Sequence, residues 1–523
     1  HGVCWQRPRV HPQRHNCRLR RSNTGRLIPV PSSGLCAGVR IAPISANSTA
    51  VKSSNTTVVV DSALMGAFSY RTNVSTEWTT QELENLAQIA RDMRATSGQL
   101  DHAKAICWAE QSLVMLRSCV KSQILMKQNE ETAAIKLLGQ QTAPLAPLQN
   151  YTALNCRDRE CVCHHFNGTV DGQDCRLADG GLVQTQSIRR EIRMMSGKQL
   201  RMYFDALKVL KENGVFNDFQ VIHGLAATEY HGVHHGPAFL VWHREFLKRF
   251  EIAVRMVNPR IEGIPYWLST LDRPLDHPEN STFWTEHFVG NGFGSVVTGF
   301  CAHWKTVDGA PLNRSTGTSG QVFSQADITD ILDHSAKIEY ILACTSAAPT
   351  CTQYNVRKSV VPEGIHNFKH DFVGGHMGYV PTAANDPVFY MLHAAVDLLY
   401  DWIRRRQDPN NRQSNYPDIA GQPECANPGH AYSSWMQPDY WNLQNKDGLS
   451  NVYTDEMYTY EQEPLCSRIS DCGSRHLFCD RRRGEWRCVA KVALFGSCRG
   501  FSPFSDVCFE SVCREGTCEP LAM

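Results

Sequence analysis

The 523-residue chain has almost no charge imbalance: 53 Lys and Arg stand against 52 Asp and Glu, a net charge of +1. A chain without excess charge has no long-range field for nucleic acid or an anionic membrane surface, so neither partner is expected. It also lacks any apolar run approaching the roughly 18 residues of a membrane-spanning helix. No apolar leader follows His1, which reads as a mature form or a fragment. Residues 1–60 contain no Asp or Glu, against eight Arg and one Lys, with many Pro, Ser and Thr. Such a stretch buries too little apolar area to offset its ordering entropy, and it is expected to be a basic disordered tail.

Cysteine, by contrast, is abundant. There are 21, and Cys466, Cys472, Cys479, Cys488, Cys498, Cys508, Cys513 and Cys518 crowd into residues 466–523. That density reads as disulfides, and an odd total leaves at least one thiol without an internal partner. Seven Asn-x-Ser/Thr triplets, at Asn47, Asn55, Asn73, Asn150, Asn167, Asn280 and Asn313, fit a glycoprotein. Together these features point to secretion into an oxidising, extracellular setting.

The chain divides by pattern into five parts. After the tail, residues 61–150 read as a helical hairpin: Thr79-Thr80-Gln81-Glu82 forms a capping-box pattern before Leu83, Leu86, Ala90 and Met93, and a second run covers Ala103 to Gln128. Residues 151–180 hold Cys156, Cys161, Cys163 and Cys175 beside His164 and His165, read as a disulfide knot ahead of a zinc site. Residues 181–465 form the main helical domain, which carries most of the histidines, and 466–523 a small disulfide-rich domain of up to four bridges.

Helical periodicity covers Ile188–Lys211, stops at Gly214, resumes over Val215–Ala227, and returns at Pro237–Val257 and from Asp386-Pro387 to Arg406. Pro259–Gly320 is rich in Gly, Pro and Asn and is expected to be a long surface-covering loop. The fold class is therefore mainly α, an antiparallel four-helix bundle around one site, with long loops, the N-terminal helical hairpin and the cysteine-rich C-terminal domain.

Of the 21 histidines, several fall on apolar helix faces. His243 shares a face with Phe239, Phe246, Leu247 and Phe250; His223 lies on the Val215 helix; His234 precedes Pro237 in the entering loop, from which it can turn back to the same site. His366 and His370 stand one turn apart, and His393 sits among Phe389, Val396 and Tyr400. A single core histidine is usually satisfied by a backbone carbonyl. Six inward imidazoles in two groups, without matching carboxylates or thiolates, suit copper or zinc rather than magnesium or calcium. The chain lacks the HExxH pattern of zinc proteases.

The ordered run His223, His234-x8-His243-Arg244, His366-Asn367-x2-His370, Asn385-Asp386-Pro387-Val388-Phe389, His393 and Asp397 resembles the copper motifs of tyrosinases and the related type-3 copper proteins, among them catechol oxidases and molluscan haemocyanin units. Ile264-Pro265-Tyr266-Trp267 and Tyr458-Thr459-Tyr460 also stand where that family has them, so the resemblance covers about residues 181–465. Arg189–Met195 and the upstream cysteines look most like secreted invertebrate tyrosinases, especially molluscan ones. The resemblance implies two copper ions, one held by His223, His234 and His243 and the other by His366, His370 and His393, with dioxygen as co-substrate. His231 and His235 are neighbours that compete with His234 for its place, and the nine-residue spacing favours His234. Where many members have a His-His pair, this chain has Leu392 before His393; where some have a cysteine crosslinked to histidine, it has Gly232. His376 is expected to be structural and Asp397 to anchor its helix.

The resemblance further implies that Glu363 and Asn367 hold a water that takes the proton of a phenol, whose pKa near 10 keeps it protonated at neutral pH. Their plain alternatives are an N-terminal helix charge and a surface amide. The implied activity is hydroxylation of monophenols and oxidation of o-diphenols to quinones, acting on small phenols or protein tyrosines, in melanin formation or matrix crosslinking. A catechol oxidase without the hydroxylating step, a haemocyanin-like oxygen carrier and an inactive matrix protein are the other readings. Either extension, the tail domain or the helical hairpin, is a candidate plug for the site.

Overall fold

Local signals set where the helices begin and end. The computed structural model describes residues 19–21, 27–29, 50–53, 56–59, 152–229, 232–342, 361–417, 427–468, 470–484, 486–502 and 505–521. The chain forms two units, His1–Ser62 and Ala63–Met523. In the first, the described residues make two antiparallel hairpins, β1 (Leu19–Arg21) with β2 (Leu27–Pro29) and β3 (Ala50–Ser53) with β4 (Thr56–Val59). These short pairs stand within the expected disordered tail; Val51, Thr56, Thr57, Val58 and Val59 are β-branched residues that favour extended backbone. The helical hairpin expected over 61–150 lies outside the described residues.

The second unit is mainly helical. Helix α1 (Arg159–His165) sits in the cysteine cluster, where Cys156 pairs with Cys161 and Cys163 with Cys175. The knot is made of disulfides, as expected. The periodic run expected to start at Ile188 starts instead at α2 (Gly197–Glu212), because Ser196 and Gln199 form a reciprocal capping box there. Ser187–Arg189 is a strand, β5, pairing in parallel with β6 (Tyr458–Tyr460) and setting Tyr460 opposite Arg189. A pairing partner some 270 residues away overrides the local helical pattern. Gly214, at φ +88°, ends the first run in a conformation glycine adopts at little cost, and α3 (Val215–Thr228) follows.

Helices α4 (Ala238–Val257), α5 (Pro362–Val373) and α6 (Val388–Arg405) complete the group around the site. Asp386 begins α6 as the sequence suggests: its Oδ1 accepts the Val388 N–H at 3.0 Å. Phe216, Phe246, Phe250 and Tyr390 are fully buried where these helices meet, with Phe250 and Tyr390 stacked at 3.6 Å. The Pro259–Gly320 segment is not merely a surface cover. Tyr266, Trp267, Phe283 and Phe288 from it are all fully buried, so its aromatic residues supply core that its turn-rich composition conceals.

The C-terminal cysteines form four bridges, Cys466–Cys479, Cys472–Cys488, Cys498–Cys513 and Cys508–Cys518, around two small hairpins. This module is pinned to the Pro259–Gly320 segment, with Thr282 N–H donating to Lys491 O at 3.0 Å and Ala493 N–H to Asn280 O at 2.8 Å. Cys301 is a free, buried thiol.

Candidate metal centre

The first group of histidines comes from two helices and the loop between them. His223 on α3 is 1% exposed and His243 on α4 3%; their nitrogens and one of His234 lie within 4.8 Å of one another. His243 Nδ1 donates to the Phe239 carbonyl at 2.8 Å, one turn back, which leaves Nε2 bare and facing inward. His223 meets the Val380 backbone on one side, and the inward ring nitrogen of His223, Nδ1 of His234 and Nε2 of His243 are otherwise without a hydrogen-bond partner. Buried nitrogens left unsatisfied in one place are costly unless something binds them.

The second group is tighter. Nε2 of His370 lies 2.7 Å from Nε2 of His366 and 3.2 Å from that of His393, and His366 and His393 stand 3.0 Å apart. His370 Nδ1 donates to the Met377 carbonyl at 2.8 Å, and His366 Nδ1 to Asn367 Oδ1 at 3.0 Å. Carbonyl oxygens only accept, so both rings carry hydrogen on Nδ1 and a lone pair on Nε2. Two lone pairs aimed at each other across 2.7 Å repel unless a cation lies between them. The donor set of neutral imidazoles fits a borderline ion such as copper.

Burial is the main reason all six rings resist protonation, taking His243 down to about 3 and His370 to about 4; the neighbouring imidazoles add to it at His223, His234, His366 and His393. Lone pairs therefore stay available well into mild acid. The two groups adjoin, since the His243 and His393 rings stack at 4.4 Å and Phe389 packs 4.5 Å from His223 and 4.1 Å from His393.

A buried ionic frame holds α4 and α6 in register. Arg244 Nε, one residue after His243, donates to Asp397 Oδ1 at 2.8 Å, one turn after His393. The other oxygen of Asp397 receives Tyr460 OH at 2.7 Å and Arg189 at 3.1 Å, and Arg189 also pairs with Glu251 at 2.9 Å. Asp397 is thus the anchor expected of it, and His376 is structural, its Nδ1 accepting the Asn313 N–H at 3.0 Å.

Glu363 and Asn367 both line the cavity over the two groups, together with His235, Asp371, Met377 and Val380. Glu363 Oε1 accepts the His235 N–H at 2.6 Å, while His234, not His235, joins His223 and His243. His231 is outside the described residues. Among the described residues none from the cysteine-rich module lines this cavity. Sequence reasoning missed His430, whose imidazole is 1% exposed against the His234 loop; no periodic pattern surrounds it. It also missed the roles of Arg189, which a strand pairing brings to Asp397, and of Glu251 on α4, which pairs with Arg189.

Residues 213–405 match the family model described as the common central domain of tyrosinase. A putative tyrosinase-like protein of Caenorhabditis elegans is 36% identical over 73% of this chain and 53% of its own length. A tyrosinase of Streptomyces antibioticus is 30% identical over 42% of this chain and 84% of its own, and tyrosinase-like protein 1 of the mollusc Margaritifera margaritifera 29% over 56% and 57%. The chain thus spans about half the length of the first of these relatives. Among solved structures, a polyphenol oxidase (mutant G292N) of Thermothelomyces thermophila is matched over 71% of this chain and 100% of its own, at 16% identity and a TM-score of 0.40.

Proposed function

Because the chain belongs to the tyrosinase family, whose members hold two coppers, we infer that His223, His234 and His243 hold one copper and His366, His370 and His393 the other, and that the protein hydroxylates monophenols and oxidises o-diphenols to o-quinones with dioxygen. The observation carrying this reading is the pair of buried imidazole groups, whose converging lone pairs a cation would satisfy. Copper in those groups supplies the two-electron redox chemistry with dioxygen.

The protein's own residues bind, orient and move protons. Phe239 and Met377 carbonyls fix the tautomers of His243 and His370, and the Asn367 amide fixes that of His366. Glu363 and Asp371 give the cavity an acidic lining on one side, and Glu363 is placed to take a phenol proton directly or through water. Phe389 and Val380 supply apolar walls near a ring-shaped substrate.

Six disulfides among the described residues, with the sequons, support secretion as a glycoprotein; the substrates proposed with the activity are small phenols or protein tyrosines, in melanin formation or matrix crosslinking. One observation favours the narrower catechol-oxidase reading: an oxygen of Glu363 is already committed to the His235 N–H. Copper-loaded protein assayed with tyramine and, separately, with catechol distinguishes them. Quinone from both supports the hydroxylase; quinone from catechol alone establishes the narrower activity. Reversible dioxygen uptake without turnover replaces both with a carrier.

A further inference from the structure

Helix α4, which carries His243, opens without a side-chain cap. Pro237 stands at its N-terminal boundary, and the first N–H groups of a helix have no partner within it. The Ala238 N–H is instead satisfied from far along the chain, donating to His430 Nδ1 at 3.2 Å. Since Nδ1 accepts, the hydrogen of this neutral ring is on Nε2, which donates to the His234 carbonyl at 2.9 Å. One imidazole therefore ties the helix of one first-group histidine to the backbone of another.

The fit is close on both sides. A Cβ on Gly236 would come within 2.7 Å of the His430 ring, and one on Gly232, at φ +86°, within 2.1 Å of the Gly429 oxygen. The loop carrying His234 is thus pressed against the His430 segment where only glycine allows the approach. That segment is itself held: Asn445, fully buried, donates to the Gly429 and Ala431 carbonyls at 2.8 Å each, and Tyr416 OH donates to His430 O at 2.7 Å.

We propose that His430 is a positioning residue for the first copper, holding the His234 loop and the start of α4 in the geometry that lets His234 and His243 bind the same ion. It does not touch the ion or the substrate. Its nearest counterpart at the second group is the Met377 carbonyl, which orients His370 from within its own neighbourhood. The hydrogen bonds of His430 run to Ala238, His234 and Tyr416 and none to His366, His370 or His393, so its effect falls chiefly on the first copper.

The inference rests on the two-copper reading, and the test separates the two. Copper per chain and its loss to a chelator are measured for the parent, for His430→Phe, which keeps a ring but neither hydrogen bond, and for His430→Gln, whose amide can accept from Ala238 and donate to His234. The expected result is two coppers in the parent and one readily lost copper in His430→Phe, weakened on the order of 10- to 100-fold, with His430→Gln recovering part of the retention. The copper that stays reports that the fold survives. Equal retention of both coppers in parent and His430→Phe overturns the positioning role and leaves the two-copper reading intact. Loss of both coppers in His430→Phe overturns its selectivity, and a parent that binds no copper overturns both inferences.

Discussion

The Glu363 carboxylate, on the helix of His366 and His370, accepts the backbone N–H of His235 at 2.6 Å, the residue immediately after His234. One side chain thus spans the two histidine groups and also faces the cavity, so its charge and its hydrogen bond are separable. Glu363→Gln retains an acceptor for His235 but removes the base. It should keep its copper and slow monophenol hydroxylation by about a hundredfold or more, while diphenol oxidation falls less. Glu363→Ala should also loosen the His234 loop and lose copper. Quinone formation and copper analysis read these effects, and a Glu363→Gln protein hydroxylating at the parent's rate would remove the carboxylate from the chemistry.

Asn367 lines the cavity and also holds the neighbouring His366 ring. With the amide gone, His366 Nδ1 keeps only the Glu363 carbonyl, at 3.3 Å, and the ring is less firmly oriented. Asn367→Ala should therefore weaken the second copper by about tenfold, and Asn367→Asp, which keeps an accepting oxygen, should weaken it less. Chelator competition measures both, and an unchanged affinity in Asn367→Ala would show that the amide does not orient His366.

The histidine groups were largely legible in the sequence because five of the six histidines fall on helices whose apolar period and proline starts are local signals, and the sixth, His234, lies in the loop just before Pro237. What was hidden depends on distant pairing. Arg189 sits in a stretch that looks helical, and it meets Asp397 only because β5 pairs with a strand near residue 460. His430 lies in a Pro-Gly turn that reads as surface loop, yet it is 1% exposed. The buried aromatic residues of the Pro259–Gly320 segment were masked in the same way by their turn-forming neighbours.

Asp397 satisfies two buried arginines at once, Arg189 and Arg244. Asp397→Ala leaves Arg244 without its hydrogen-bonded carboxylate and Arg189 with Glu251 alone, and a broken buried pair costs about 3–5 kcal/mol. Urea unfolding should show a lower midpoint, with copper uptake at the remaining folded fraction preserved. An unchanged midpoint would mean that the frame contributes nothing to stability.

Asp218, half-buried on α3 with one carboxylate oxygen unpartnered, has its pKa raised by burial to about 6. A carboxyl with a folded pKa above its ordinary value favours the fold while protonated, and that contribution disappears as pH rises from about 4 through 6. Asp218→Asn should therefore melt higher than the parent at pH 7.5 and equally at pH 4. Because the side chain is partly exposed, the gain is on the order of 1 kcal/mol. A gain that is the same at both pH values would trace to something other than the charge.

The cysteine-rich module bears on latency because plugging the cavity and bracing the fold predict opposite results when it is removed. Val489, Ala490 and Val492 are fully buried, and the module's backbone bonds to Asn280 and Thr282 on the face formed by the Pro259–Gly320 segment. Cleavage near residue 466 should then leave catechol turnover per copper unchanged at 25 °C while lowering the melting temperature, since buried apolar surface is returned to water. Its two hairpins, each tied by two disulfides to the segment that precedes it within the module, should stay folded as a released fragment. A rise in turnover on cleavage, with no change in melting, would mean that the module restrains access to the site after all.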